Sequence, residues 1–223
     1  MKRLLAFVGF LALCVGSTSA SLITNVYTGS FANGGVIPDN NLSGWSDTHT
    51  LSGYTGSSAL VENVTVTLNI TGGWNGDLYG YLVHVDANSS IASVVLLNRV
   101  GTGTYPTYGY GEAGFNNVTL IDSTSLTSIQ NYGGSGGAAA ALASGNYNSA
   151  GNTGSAGLDQ SFDGMTVDGS WSLFLADMSS GDISQVTGWT LTVEAVPEPT
   201  TWAMLAFGAI LGGWHFSRRE KTV

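Results

Sequence analysis

Positive charge and cysteine are what this chain has least of. Of its 223 residues only six are Lys or Arg. Lys2 and Arg3 stand at the start and Arg218, Arg219 and Lys221 at the end, which leaves Arg99 alone in the body. Fifteen residues are acidic, and just two of them, Glu198 and Glu220, lie in the final stretch. A body of that sign repels phosphate backbones and anionic lipid, which excludes nucleic acid as a partner. The single cysteine, Cys14, falls in the leader described below, so the mature chain has neither a disulfide nor a thiol nucleophile. No His/Cys cluster offers a zinc site. A mature body of this size is long enough to be stable through packing alone.

What is present at the two ends is targeting sequence. Lys2 and Arg3 precede an apolar run, Leu4 to Val15, that is too short to span and stay. Thr18-Ser19-Ala20 then supplies the small residues that signal peptidase needs, so cleavage is expected between Ala20 and Ser21. A lipoprotein reading of Cys14 meets Leu13 where a small residue is wanted. At the far end, Val196-Pro197-Glu198-Pro199 is rigid and extended, because its prolines fix φ and disfavour helix before them. Thr200 to Ser217 carries no charge and would make a helix roughly 27 Å long, close to the thickness of a bilayer core. Arg218, Arg219 and Lys221 follow, and such a cluster stays on the cytoplasmic side.

That order of Pro-Glu-Pro, apolar helix and terminal basic cluster resembles the PEP-CTERM sorting signal of Gram-negative bacteria. The resemblance covers the last 28 or so residues. It implies processing by an exosortase, a passing inner-membrane intermediate, and delivery to the cell surface or beyond it, often alongside exopolysaccharide.

The body, residues 21–195, reads as all β. Val64, Val66, Leu68 and Ile70 alternate with Thr65, Thr67 and Asn69, the pattern of a half-buried strand over Glu62 to Ile70. Leu78 to Val83, Ile91 to Leu97 and Val118 to Ile121 are further strand candidates. Trp171, Leu173 and Leu175, then Trp189, Leu191 and Val193, alternate again around a turn rich in Asp, Ser and Gly. No stretch shows helical periodicity, although Ala138 to Ala143 could make one turn between glycines. Short strands divided by Gly/Asn/Ser turns predict a β-sandwich or jelly roll. Residues 131–160 are mostly Gly, Ala, Ser and Asn, and they predict a long mobile loop within it.

The body also resembles the P domain (P/Homo B) that follows the catalytic domain of subtilisin-like proprotein convertases. Ile37-Pro38-Asp39, Gly76-Asp77-Leu78, Val94 to Gly101 and Gly169-Ser170-Trp171-Ser172-Leu173 carry the likeness. Asp177, Gly181-Asp182 and Trp189-Thr190-Leu191 complete it. It departs near Gly73-Trp74, where the family often has a His, and in the length of 131–160. The resemblance implies a galactose-binding-like jelly roll with no catalytic residues, and a role in supporting a secreted subtilisin-like serine protease.

Candidate chemistry in the body is sparse. His49, in a Ser/Thr/Asp-rich stretch, reads as a solvated loop residue, and His84, after an apolar strand, as one satisfied by a local hydrogen bond. No subtilisin-like domain fits in front of the sandwich, and the chain is expected to be non-catalytic. Calcium wants hard oxygen ligands from loops, and Asp39, Asp77 and Asp86 are its candidates if those loops converge. Tyr105, Tyr108 and Tyr110, in a Gly/Pro/Thr loop, are the candidates for stacking on sugar, whereas Trp74 and Tyr79 read as packing. The functional expectation is an exported, exosortase-sorted surface or matrix protein with a non-catalytic binding module, associated with exopolysaccharide.

Overall fold

The computed structural model describes residues 20–54, 59–151 and 157–197. They build two facing β-sheets. Sheet A holds five strands in the order β1 (Ser21–Tyr27), β9 (Ser184–Pro197), β3 (Ala59–Gly72), β6 (Gly114–Leu120) and β7 (Gly145–Tyr147). Sheet B holds four, β2 (Asn41–Leu51), β8 (Gly169–Asp177), β4 (Leu78–Asp86) and β5 (Ile91–Asn98). Every pairing between these strands is antiparallel except that of β6 with β7. The body is therefore an all-β sandwich. The leader before Ala20, the sorting motif beyond Pro197 and the expected membrane helix lie outside the described residues. Among the described residues no helix is long and apolar enough to cross a membrane.

The strand pattern read from the sequence explains the core. On β3, Val64, Val66, Leu68 and Ile70 are all buried, and each is followed by a partly exposed or exposed neighbour. Leu78 and Leu82 of β4, Trp171, Leu173 and Leu175 of β8, and Trp189, Leu191 and Val193 of β9 meet them from the two inner faces. Removing these side chains from water is the main stabilising term. The strands after residue 160 are central, since β9 lies between β1 and β3, and β8 between β2 and β4.

Three local expectations give way. First, His49 sits in β2 opposite Trp171, not in a loop. Its strand was hidden because Asp47 and His49 occupy inward positions that apolar residues usually fill. They are accommodated there by bonding: Asp47 Oδ2 accepts from the Trp189 indole N–H at 2.8 Å and pairs with His49 Nε2 at 2.7 Å. His49 also lies flat on Tyr27, with centroids 3.6 Å apart.

Second, residues 139–147 run as extended chain along the edge of sheet A. Glu112 stands opposite Ala139, Phe115 opposite Leu142, Val118 opposite Gly145 and Leu120 opposite Tyr147, in one parallel register. Leu142 N donates to Gly114 O and Asn116 N to Leu142 O, both within 3 Å. Ala138 to Ala143 is thus part of an edge, not a helical turn. The small residues are what allow the approach: a Cβ on Gly111 would collide with Gly137 O, and one on Gly134 would lie 2.5 Å from Glu112 Oε2.

Third, among the described residues one α-helical turn forms, α1 (Leu158–Phe162). Leu158 and Phe162 are fully buried from one side of it.

Candidate functional site

The three carboxylates considered for calcium divide into two places. Asp77 immediately precedes β4, Asp177 ends β8 opposite Leu78, and Asp39 reaches the turn after β8 by accepting from Gly181 N. Asp86 ends β4 at its other extreme. Burial alone would raise the Asp86 pKa, but backbone N–H groups of Ser90, Thr166 and Asn88 donate to its carboxylate and hold it below the usual value. Asp86 is thus committed to its own turn and does not join Asp39 and Asp77.

At the Asp39–Asp77–Asp177 corner the single guanidinium of the body is largely spent on backbone and hydroxyl oxygen. Arg99 donates to Gly76 O, Thr107 O and Ser179 Oγ, and stands 3.8 Å from Asp77 Oδ1. That Asp77 oxygen is buried without a hydrogen-bond partner. Burial, with Asp77 and Asp39 nearby, pushes the buried Asp177 carboxyl up to about 6, and burial also raises Asp77. Among the described residues no group of three or more His, Cys, Asp or Glu is placed to hold a metal ion.

The tyrosine candidates also separate. Tyr110 is in the core, tilted against Tyr132 at 4.5 Å. Tyr105 is half-buried and stacks at 6.1 Å on Tyr108, which is exposed. Trp74 meets Tyr108 edge-on. Tyr79, read as packing, instead lies half-buried on the outer face of sheet B.

Both histidines of the body are engaged within the fold. His84 is fully buried on β4, with Nδ1 3.1 Å from Ser170 O and Nε2 2.8 Å from Thr166 O. Both ring nitrogens face backbone carbonyls, which leaves none for a nucleophile. His49 is held by Asp47, Tyr27 and Trp189 across the two sheets. Burial, then the Asp47 charge, raises the Tyr27 pKa. A Gly-x-Ser-x-Gly spacing occurs at Gly133–Gly137, but Ser135 lies in the irregular stretch leading to the edge chain rather than in a strand-to-helix elbow. Its N–H donates to Glu112 Oε1 and its hydroxyl accepts from Gly137 N.

A polar cleft was not signalled by any motif. It has a volume of about 450 Å³ and is lined by Asp122, Ser123, Thr124, Asn148, Asp159 and Gln160. Asp159 Oδ1 accepts from Val64 N, and Asp122 Oδ2 accepts from Asp159 N. Burial first, then Asp122, Glu194 and Asp163, pushes Asp159 up to about 6.

The remaining site is the exit of the chain from the fold. Ser21 pairs with Ala195, and Leu60 and Ala59 pair with Val196 and Pro197. The predicted signal-cleavage point and the start of the tail therefore leave one end of sheet A on adjacent strands. The first two residues of Val-Pro-Glu-Pro are still part of a strand.

Residues 195–219 match the PEP-CTERM protein-sorting motif. The chain carries an exosortase sorting tail. It is an exported protein that passes through a membrane-anchored intermediate to the cell surface. The matched span takes in Val196, Pro197, Glu198, Pro199, Arg218 and Arg219, and Lys221 lies just beyond it. No curated protein matches the chain. Among solved structures, it is similar to the serine protease of Aeromonas sobria in complex with its chaperone. That likeness has 15% identity over 81% of this chain and 27% of the other, at a TM-score of 0.44. The same serine protease alone gives 14% identity over 79% and 27%, also at 0.44. The chain thus spans about a quarter of the length of those structures.

Proposed function

We propose that this chain is a non-catalytic jelly-roll module of the P-domain type, which its sorting tail displays at the cell surface. The observation that carries the reading is the join between fold and tail. Val196 and Pro197 are paired with Leu60 and Ala59, so β9 runs into the motif with no flexible linker. On this reading Thr200 to Ser217 holds the finished sandwich against the inner membrane, with Arg218, Arg219 and Lys221 on the cytoplasmic side. Exosortase then removes that hold, and the sandwich is the payload.

The P-domain reading is supported by where its closing pattern falls. Gly169 to Leu173 lies in β8 and Trp189 to Leu191 in β9, with both tryptophans fully buried and Gly181 tied to Asp39. Non-catalysis is supported by the two engaged histidines. The module needs no cofactor for this role. Any calcium bound by this module would use the hard oxygens of the Asp39–Asp77–Asp177 corner, drawn closer together than they stand here and supplemented by water.

Mass spectrometry of the surface form tests the display. It is expected to lack Arg218, Arg219 and Val223, and an intact Val223 there would make the tail a permanent anchor. A fluorescent peptide and glycoside panel is expected to show no turnover, and turnover lost in His84→Ala or His49→Ala would overturn the non-catalytic reading. Melting in calcium against chelator tests the ion, since a ligand that binds only the folded chain raises Tm. Co-purification with a secreted serine protease, and loss of that protease when this chain is deleted, would favour an accessory role instead.

A further inference from the structure

The solvent face of sheet B carries no charge, in a body where thirteen acids stand against one arginine. Antiparallel sheets normally put polar and charged side chains on the wet face. Here, among the described residues, no outward position of β2, β8, β4 or β5 is Asp, Glu, Lys, Arg or His. At its centre is a ridge of rings. Tyr81 pairs with Phe174 across β4 and β8 and stacks on it, with centroids 4.6 Å apart and planes 19° apart. Tyr79 meets Tyr81 edge-on at 6.1 Å. All three are half-buried, with part of each ring open to water.

The ridge is built in. Phe174 leans over Gly44 of β2, where a Cβ would come within 2.6 Å of its Cζ, so the missing side chain makes room for the ring. Beside the ridge lies a hydroxyl border, in which Thr48 Oγ1 and Ser172 Oγ are 2.7 Å apart on neighbouring strands. Four strands about 4.8 Å apart make the face roughly 14 Å across.

We infer that this face, centred on Tyr79, Tyr81 and Phe174, binds a neutral polysaccharide. The reading adds a ligand to the displayed module proposed above but stands on different residues from the tail. A sugar ring presents C–H groups on its faces and hydroxyls around its rim. The ring ridge takes the first, and the tyrosine, serine and threonine hydroxyls take the second. Because the rings are already packed on one another, little side-chain freedom is lost on binding. The charge pattern selects the class. An acidic body repels a polyanionic chain, while a face without ions leaves no charge to be stripped of water by a neutral one. A second copy of this chain is the competing occupant. A stable pair needs about 800 Å² per partner with an apolar centre, whereas the hydroxyl border interrupts this face.

The test is affinity electrophoresis of the full-length chain in detergent. The gels contain hydroxyethyl cellulose, soluble starch or galactomannan, with alginate as the acidic counterpart. Retardation is expected in at least one neutral gel and not in alginate. Tyr81→Ala and Phe174→Ala should each weaken it about tenfold. Thr48→Asp, which leaves the rings in place and adds a charge, should weaken it as well, with Tm reported for every variant. Three results would overturn the proposal: no retardation in any neutral gel, retardation unchanged in both Tyr81→Ala and Thr48→Asp, or a dimer in solution that Thr48→Asp splits. Tail processing is read separately by mass spectrometry, so failure of this site leaves the display reading standing, and the reverse.

Discussion

His84 lies flat on Trp171, with ring centroids 3.7 Å apart and planes 11° apart. The imidazole is fully buried between the carbonyls of Thr166 and Ser170 and stacks where an aliphatic side chain would otherwise fill the sandwich. It joins β4 to β8 through packing and hydrogen bonds together. His84→Ala should cost about 3 kcal/mol, from the cavity and from loss of the hydrogen bond that the imidazole donates to a backbone carbonyl, and lower Tm by about 9 °C. His84→Phe keeps an aromatic ring on Trp171, fills the site with a slightly larger side chain and loses the hydrogen bond, so its cost should be smaller. Thermal melts of the pair measure the difference. Equal losses in both would mean that the stack contributes nothing.

Asp47 ties the two sheets together at the other end of the same layer. Its Oδ2 serves both Trp189 Nε1 and His49 Nε2. Asp47→Ala strands a buried indole N–H and should cost about 2 kcal/mol. Asp47→Asn keeps an acceptor for that indole and should cost less than half as much. Urea denaturation monitored by tryptophan fluorescence reads both variants.

The Gly-rich edge gives a prediction that turns on one methyl group. A Cβ on Gly111 would strike Gly137 O and lie 2.7 Å from Gly137 C and 3.1 Å from Trp74 Cζ3. A Cβ on Gly137 meets nothing nearer than Ser135 Oγ at 4.0 Å. Gly111→Ala should therefore cost about 2 kcal/mol and lift residues 139–147 off β6, while Gly137→Ala should change stability by no more than about 0.5 kcal/mol. Limited proteolysis should cut Gly111→Ala within residues 133–144 faster than the parent chain. Equal cutting of the two variants would place the edge chain elsewhere.

These pairs also explain what the sequence could and could not convey. Val64 to Ile70 and Trp189 to Val193 were legible because alternation reports burial on one face directly. Asn41–Leu51 was not, because Asp47 and His49 stand at inward positions. Their partners, Trp189 and Tyr27, are remote in sequence, and no local pattern reveals them. The edge chain at 139–147 was missed for the opposite reason. Its small residues look like a chain with nothing to bury, yet smallness is what lets it lie against β6. Among candidate ligands, Asp39 and Asp77 come to the same end of the sandwich because the turns around β4 and β8 converge, while Asp86 sits a whole strand away from Asp77. The ring ridge of sheet B gave no signal, because Tyr81 and Phe174 become neighbours only through strand pairing. The sorting tail was the most legible part, since its information is an order of segments rather than a fold.

Acid should stabilise the chain, within limits set by its buried carboxyls. Asp159 and Asp177 are each pushed from 3.8 up to about 6 in the folded state, burial being the first cause. Folded chain thus holds these protons more tightly than unfolded chain. Their contribution is fully present below pH 3.8 and is lost as pH rises through about 6. Asp86 has the opposite sign: its pKa is lowered, so its contribution is present above 3.8 and is lost as pH falls below that value. Stability should therefore peak near pH 4, decline to about pH 6 and level off above it. Asp159→Asn keeps an acceptor for Val64 N and removes the charge. It should flatten part of that decline and stabilise the chain at pH 7 by about 1 kcal/mol, a figure reduced for a partly exposed group. Urea titrations across this range, in chelator so that no cation neutralises the carboxylates, measure both effects. A stability that rises steadily from pH 4 to 7 would show that these two carboxylates are charged at no cost to the fold.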